Sequence, residues 1–120
     1  MFDLEDRLLS HAAAIVRFAE SLPPPRAGNH VAGQLLRCGT SALPNHGEAQ
    51  AAESPADFIH KLSICLKELR ETHRWLLLCK RVPLIKPSSS LEELLQETDE
   101  LVRIFVASLR TAKKRAIALS

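Results

Sequence analysis

The sequence has no tyrosine, one tryptophan, one methionine and four glycines in 120 residues. A chain so poor in aromatic side chains and turn-forming glycines lacks the material of a β sandwich or barrel, whose strands draw on aromatic and β-branched residues and whose corners need glycine. Three cysteines, Cys38, Cys65 and Cys79, are odd in number and form no C-x-x-C pair, so neither a disulfide framework nor a structural zinc site is indicated. They read as small core hydrophobes. No apolar run approaches the roughly 20 residues that a membrane span needs. The first nine residues, MFDLEDRLL, carry acids where a secretory leader carries lysine or arginine. A cytoplasmic protein is therefore expected. Net charge is only +2, short of the strongly basic balance of a dedicated nucleic-acid binder.

What the chain does have is aliphatic periodicity. Hydrophobic residues make up 46% of it and aromatic ones only 4%, which is helix-bundle composition. From Asp3 to about Ser21, Leu4, Leu8, Ala12, Ile15, Ala19 and Leu22 mark one helical face, and Pro23 to Pro25 end it. Asn29 is a candidate cap for a second helix with the seam Val31, Leu35, Cys38, Ala42, Asn45, Ala49 and Ala52. Pro44 lies within that helix and is expected to kink it. Ser54, Pro55 and Asp57 combine a hydroxyl cap, an N1 proline and a first-turn acid. The third helix they open has the seam Phe58, Leu62, Cys65, Leu69, Thr72, Leu76 and Cys79, widened by Leu66 and Leu77, and reaches Lys80 at about 40 Å. Two prolines interrupt the segment from Val82 to Ser89. Ser90 with Glu93 has the spacing of a capping box for helix four, whose apolar face is Leu91, Leu94, Leu95, Leu101, Val102, Phe105, Leu109 and Ala112.

Four amphipathic helices with short joints predict an all-α, antiparallel up-down-up-down four-helix bundle filling residues 1–120 as one domain. No internal repeat is evident. Such a topology sets the start of helix one, the joint from Glu48 to His60 and the basic end of helix four at one pole, with the proline joints at the other.

Catalytic and metal-binding constellations are absent from the pattern. A di-metal bundle needs Glu-x-x-His on two helices, and none occurs. Asp57 and His60 share that spacing, but beside a capping serine they read as a cap and a surface histidine. Ser41 with His46, or Cys38 with His30, lacks the third group and the oxyanion hole that an activated nucleophile requires. The four glycines are dispersed and form no phosphate loop. Trp75 is expected in the core. Asn45 has two readings that stay open: a buried amide that fixes register or oligomeric state, or one that bonds backbone groups freed beside Pro44. Glu48 lies one turn further on, in reach of a cation from a neighbouring helix or chain. Arg110, Lys113, Lys114 and Arg115, with Arg103 before them, offset the helix dipole and could meet phosphates. No aromatic residues interleave with them to stack on bases.

The stretch CGTSALPNHGEAQAAESPADFIHKLSICLKELRETHRWL, from Cys38 to Leu76, resembles the central motif of the bacterial four-helix-bundle family of 23S ribosomal RNA intervening-sequence proteins. Its markers are Arg37, Ser41, Asn45, Glu48 and the Asp57-Phe58 pair, followed by Lys61, Leu62 and Glu68. The leucines before the motif and the leucine-rich last helix are similar to the family's layout, so the resemblance covers nearly the whole chain. His46 and Ala49 stand where the common pattern has an apolar residue and often a glycine, and Pro44 where a small residue is usual.

The family name records genes that lie within inserted segments of large-subunit ribosomal RNA and implies no activity. Related bundles serve diversity-generating retroelements as ring-shaped homopentamers with a basic surface that meets reverse transcriptase or nucleic acid. The resemblance therefore implies a homopentamer and no enzyme. The expected function is a non-enzymatic, cytoplasmic homo-oligomeric scaffold without cofactor or small-molecule substrate. Arg37, Ser41, Asn45, Glu48, Asp57, Phe58, Lys61 and Glu68 would serve assembly or partner binding. The alternative is a nucleic-acid accessory module that meets RNA, or an enzyme acting on nucleic acid, through Arg110, Lys113, Lys114 and Arg115.

Overall fold

The computed structural model describes residues 3–119. It is all helix, with no strand among the described residues: α1 (Leu4–Ser21), α2 (Arg26–Gly39), α3 (Ala42–Gln50), α4 (Pro55–Arg81) and α5 (Ser89–Leu119). The principal extents are 52 × 24 × 23 Å. α4 packs against α5, α3 and α2, while α1 packs against α2, α3 and α5. No helix is long and apolar enough to cross a membrane, among the residues described.

Local chemistry sets most helix ends. The Asp3 carboxylate accepts from the Asp6 N–H at 3.0 Å and starts α1. Ser54 caps α4 as its sequence suggests, its Oγ accepting from the Asp57 N–H at 3.1 Å. Asp57 reaches back to the Glu53 N–H at 3.4 Å, a reciprocal arrangement that satisfies two otherwise orphaned donors.

Three expectations about helix boundaries need correction. Asn29 is not a cap, because α2 already begins at Arg26 and its cap position, Pro25, makes no side-chain hydrogen bond. Proline tolerates a helix start, where its missing N–H would have no intrahelical partner, so the run that ends α1 leads at once into α2. Ser88 rather than Ser90 opens α5, its Oγ accepting from the Leu91 N–H at 3.2 Å. The expected single second helix is divided at Thr40 and Ser41 into α2 and α3. The division falls one turn before Pro44, since proline cannot donate to the carbonyl four residues back and its ring would strike it. With the break there, Pro44 becomes a first-turn residue of α3, where no donor is required.

The core has two apolar clusters. One joins Ile15 and Phe18 of α1 and Leu22 just past its end to Val31 and Leu35 of α2, Leu76 and Cys79 of α4, and Leu91, Leu94 and Leu95 of α5. The other joins Leu8 to Ala42 and Ala49 of α3, Leu62, Cys65, Leu66 and Leu69 of α4, and Leu101, Phe105 and Leu109 of α5. The predicted seams supply nearly all of these residues. Leu77, expected to widen the α4 face, instead stands 46% exposed.

Two polar pairs lie between the clusters along α1, α4 and α5, the second of them reaching α2 past its last cluster residue. His11 Nε2 of α1 is 2.9 Å from Thr98 Oγ1 of α5. Thr72 Oγ1 of α4 is 3.3 Å from Cys38 Sγ of α2. All four residues are buried. Each threonine hydroxyl also donates to a carbonyl of its own helix, Thr98 to Leu94 at 2.7 Å and Thr72 to Glu68 at 2.8 Å. The Thr98 proton is thereby committed, so the His11 ring acts as donor through Nε2.

Two glycines of α2 allow close approach, Gly28 to the joint that follows α1 and Gly39 to α1 itself. A Cβ on Gly28 would overlap the Pro23 carbonyl, which is backbone and cannot yield, and one on Gly39 would come 2.5 Å from Ile15 Cγ2. A Cβ on Gly33 would meet nothing within 4 Å. Gly28→Ala should therefore lower unfolding free energy in urea by about 3 kcal/mol through overpacking, while Gly33→Ala should raise it by about 0.5–1 kcal/mol through helix propensity. Equal effects at the two positions would contradict the packing described here.

Candidate partner-binding surface

The family-marker residues do not converge on one pocket. They fall into three local groups along α2, α3 and the first half of α4. In the first, the Arg37 guanidinium on α2 reaches across to α4. Its Nη1 lies 3.3 Å from Glu68 Oε2 and its Nη2 pairs with Glu71, while Gln34 Oε1 accepts from Nη2 at 3.0 Å. Arg37 is half exposed and Glu68 nearly covered, so the fork holds α2 on α4 and keeps one face in solvent.

Glu71 then accepts from Trp75 Nε1 at 3.0 Å. The Trp75 ring meets His30 edge to face, with centroids 5.8 Å apart and planes at 74°. Trp75 is thus half-buried at the α2–α4 surface and not enclosed in the core. Glu71 escaped the sequence reading, and His30 was weighed there only as a partner of Cys38, not of Trp75. The signal was there in part, because Glu68, Glu71 and Trp75 recur three and four residues apart on one helix face. The Trp75 hydrogen bond, followed by the Arg37 charge, holds the Glu71 carboxyl below the usual glutamate range.

In the second group, the Asn45 amide donates to the Ser41 carbonyl at 2.9 Å and lies 3.1 Å from Ser41 Oγ. Of the two readings of Asn45, the structure contains the local one: the side chain is half-buried and bonds the backbone at the α2–α3 break. The buried polar residue of α3 is instead His46. Its ring stands edge-on to Phe105, with centroids 6.2 Å apart and planes at 84°. Gln50 Nε2 lies 3.3 Å from His46 Nε2, which assigns that nitrogen as acceptor and the proton to Nδ1. Nδ1 has no hydrogen-bond partner, and the nearest carboxylate oxygen, Glu5 Oε1, is 3.8 Å away. Glu48, next along α3, is exposed.

The third group opens α4. Asp57 is engaged in capping. Phe58 is half-buried against the second cluster and lines an open groove with Ala49, Pro55, Ala112 and Leu119, between the end of α3 and the far end of α5. Lys61 is half-buried. Neither Glu48 nor Lys61 has an ion pair within 4 Å among the described residues.

The basic residues Arg110, Lys113, Lys114 and Arg115 are all exposed on the last turns of α5. Arg103 is tied to Asp99 at 3.1 Å. Among the described residues no group of three or more His, Cys, Asp or Glu side chains could hold a metal. Burial pushes the Cys65 thiol up to about 12 and the Cys79 thiol up to about 11, so neither supplies a thiolate nucleophile at neutral pH.

A match to the family of 23S rRNA-intervening sequence proteins spans residues 7–107. The chain belongs to that family. The matched span holds every marker residue, the Arg37 fork and the His11–Thr98 pair, and stops short of the basic end of α5. Among solved structures, the chain is similar to a protein of unknown function from the S23 ribosomal protein family of Bacteroides thetaiotaomicron. The two are 34% identical with a TM-score of 0.82, over 89% of this chain and 98% of the other. No curated protein matches the chain significantly.

A second clamp mirrors the Arg37 fork. Arg7 of α1 binds Glu97 of α5 through Nε at 2.7 Å and Nη2 at 2.6 Å, beside the His11–Thr98 pair. Its hydrogen bonds hold the Glu97 carboxyl below the usual range. Burial pushes His11 down to about 4, against the opposing charge of Glu97.

Two predictions follow from these clamps. Between pH 6.5 and about 4 the unfolded chain binds a proton at this histidine that the folded chain refuses, so stability falls as pH drops through that window. By pH 4 the loss should be on the order of 3 kcal/mol. Thermal melts of His11→Gln should lack that component, and an unchanged pH slope in the variant would refute the assignment. Trp75 is the one tryptophan, so intrinsic fluorescence reports on its Glu71 contact. An acid titration should show a transition below the ordinary glutamate midpoint in the wild type and none in Glu71→Gln.

Proposed function

We propose that the protein is a non-enzymatic homo-oligomeric scaffold. In this reading an antiparallel up-down-up-down bundle is the building block and, as the family resemblance implies, five chains form a ring. The observation that carries the reading is the set of apolar side chains left outside an otherwise well-filled core. Leu9 is 54% exposed on α1, and Leu77, Leu78 and Val82 cluster at the end of α4 with 46%, 40% and 56% exposed. Single exposed leucines are ordinary, whereas an apolar cluster on a charged helix face is what an interface presents.

The marker residues divide the work. Arg37, Glu68, Ser41, Asn45 and Asp57 shape the α2–α3–α4 surface through the bonds described above. Glu48, Phe58 and Lys61 remain available to a neighbouring chain or partner. This reading concerns assembly and partner binding in the cytoplasm and invokes no chemistry on a substrate.

Light scattering after size exclusion, at low and high salt, tests it. The expected mass is about five times the 13.3 kDa chain. A single-chain mass at high protein concentration would remove the scaffold reading and leave the bundle intact.

A further inference from the structure

Two exposed stripes, on α1 and α4, share one spacing and carry opposite charge. On α1 the stripe is Asp6, Leu9, Ala13, Val16 and Glu20, and on α4 it is Lys67, Arg70, Arg74, Leu77 and Arg81, with Leu78 beside it. Both advance in steps of three, four, three and four residues, the repeat of a coiled-coil seam. Both cover 15 residues, a rise of about 21 Å along a helix axis. All of these side chains are exposed except Ala13, which is half-buried.

The charges on both stripes are uncommitted. Asp6, Glu20, Lys67, Arg70, Arg74 and Arg81 make no ion pair within 4 Å among the described residues. The α4 acids that might have neutralised its stripe, Glu68 and Glu71, are turned to Arg37. Of the two arginines on α1, Arg7 is held by Glu97 and Arg17 is exposed. Within the chain the stripes cannot meet, because α1 and α4 are each laid against α2, α3 and α5 rather than against one another.

We infer that the α1 stripe of one copy docks on the α4 stripe of the next. This rests on the homo-oligomeric reading above and names its interface. Aligned in either direction, the seams set an acid of α1 against a cation of α4 at each end. In the parallel register Val16 faces Leu77, and in the antiparallel one Leu9 does. The two surfaces differ, so the contact is heterologous and each added copy leaves the same two faces open until a ring closes. A nucleic acid on the α4 stripe would use its cations but leave Leu77, Leu78 and Val82 in water, which is why a protein seam is favoured.

The test uses two double variants of the full chain. Leu9→Lys with Val16→Lys disables the α1 stripe, and Arg74→Glu with Leu78→Glu disables the α4 stripe. Every replaced side chain is exposed, and circular dichroism with thermal melting checks that both variants fold. Each alone should fall from the wild-type mass to a single chain. Mixed, they should give a mass of two chains and no more, because only one intact pair of faces remains.

Variants that keep the wild-type oligomeric mass would overturn this interface and leave the scaffold reading standing. A monomeric wild type would overturn both. If the α4 variant keeps its mass but loses binding to poly(U), the α4 stripe is a nucleic-acid face and the seam is wrong.

Discussion

The fold depends on four buried polar side chains at mid-length. His11 with Thr98 ties α1 to α5, and Cys38 with Thr72 lies between α2 and α4. An apolar layer tolerates a shift of one helical turn, since one leucine replaces another. A buried imidazole does not, because a slip would strip its hydrogen bond and leave its full desolvation cost uncompensated. The pairs therefore select one register from the several that the leucine seams alone would permit. Next to each stands an arginine clamp, Arg7 on Glu97 and Arg37 on Glu68 and Glu71, which fixes the same two helix pairs from outside.

That register decides which side chains are left over. With α1 and α4 both turned inward by their leucines, Leu9 and Val16 on one helix and Leu77 and Leu78 on the other have nowhere to be buried within the chain. The exposed faces of the molecule are therefore a consequence of its core. The relative from Bacteroides thetaiotaomicron, similar over nearly its whole length, shares this framework at the level of the backbone. The structure directs attention to helix faces, and the marker residues that look like a motif in sequence are mostly occupied with capping, clamping and relieving the Pro44 break.

Much of this was legible in advance where one residue type acts locally. Ser54, Pro55 and Asp57 announce a helix start because the hydroxyl, the fixed φ and the carboxylate all act within one turn. The apolar seams are legible because a 3.6-residue period needs no knowledge of the neighbour. Asn29 and Ser90 looked equally good as caps and are not, since a side chain that can cap a helix still has to stand at its first turn. The start of α2 is set by Pro25 and by the close approach of Gly28 to Pro23.

By itself, then, the sequence determined helix content, most of each apolar face, the joints at the proline runs and at Ser54, and the family. All of these are written in local spacing and in side-chain chemistry within a few residues. Tertiary structure alone decided that His46 and not Asn45 is the buried polar group of α3, that Trp75 sits on Glu71 and His30 at a surface, and that Leu77 faces outward. Each of these depends on what lies across the groove from a side chain. Burial and pairing belong to two helices at once, and the residues that set them are separated by 31 positions for Arg37 and Glu68 and 90 for Arg7 and Glu97.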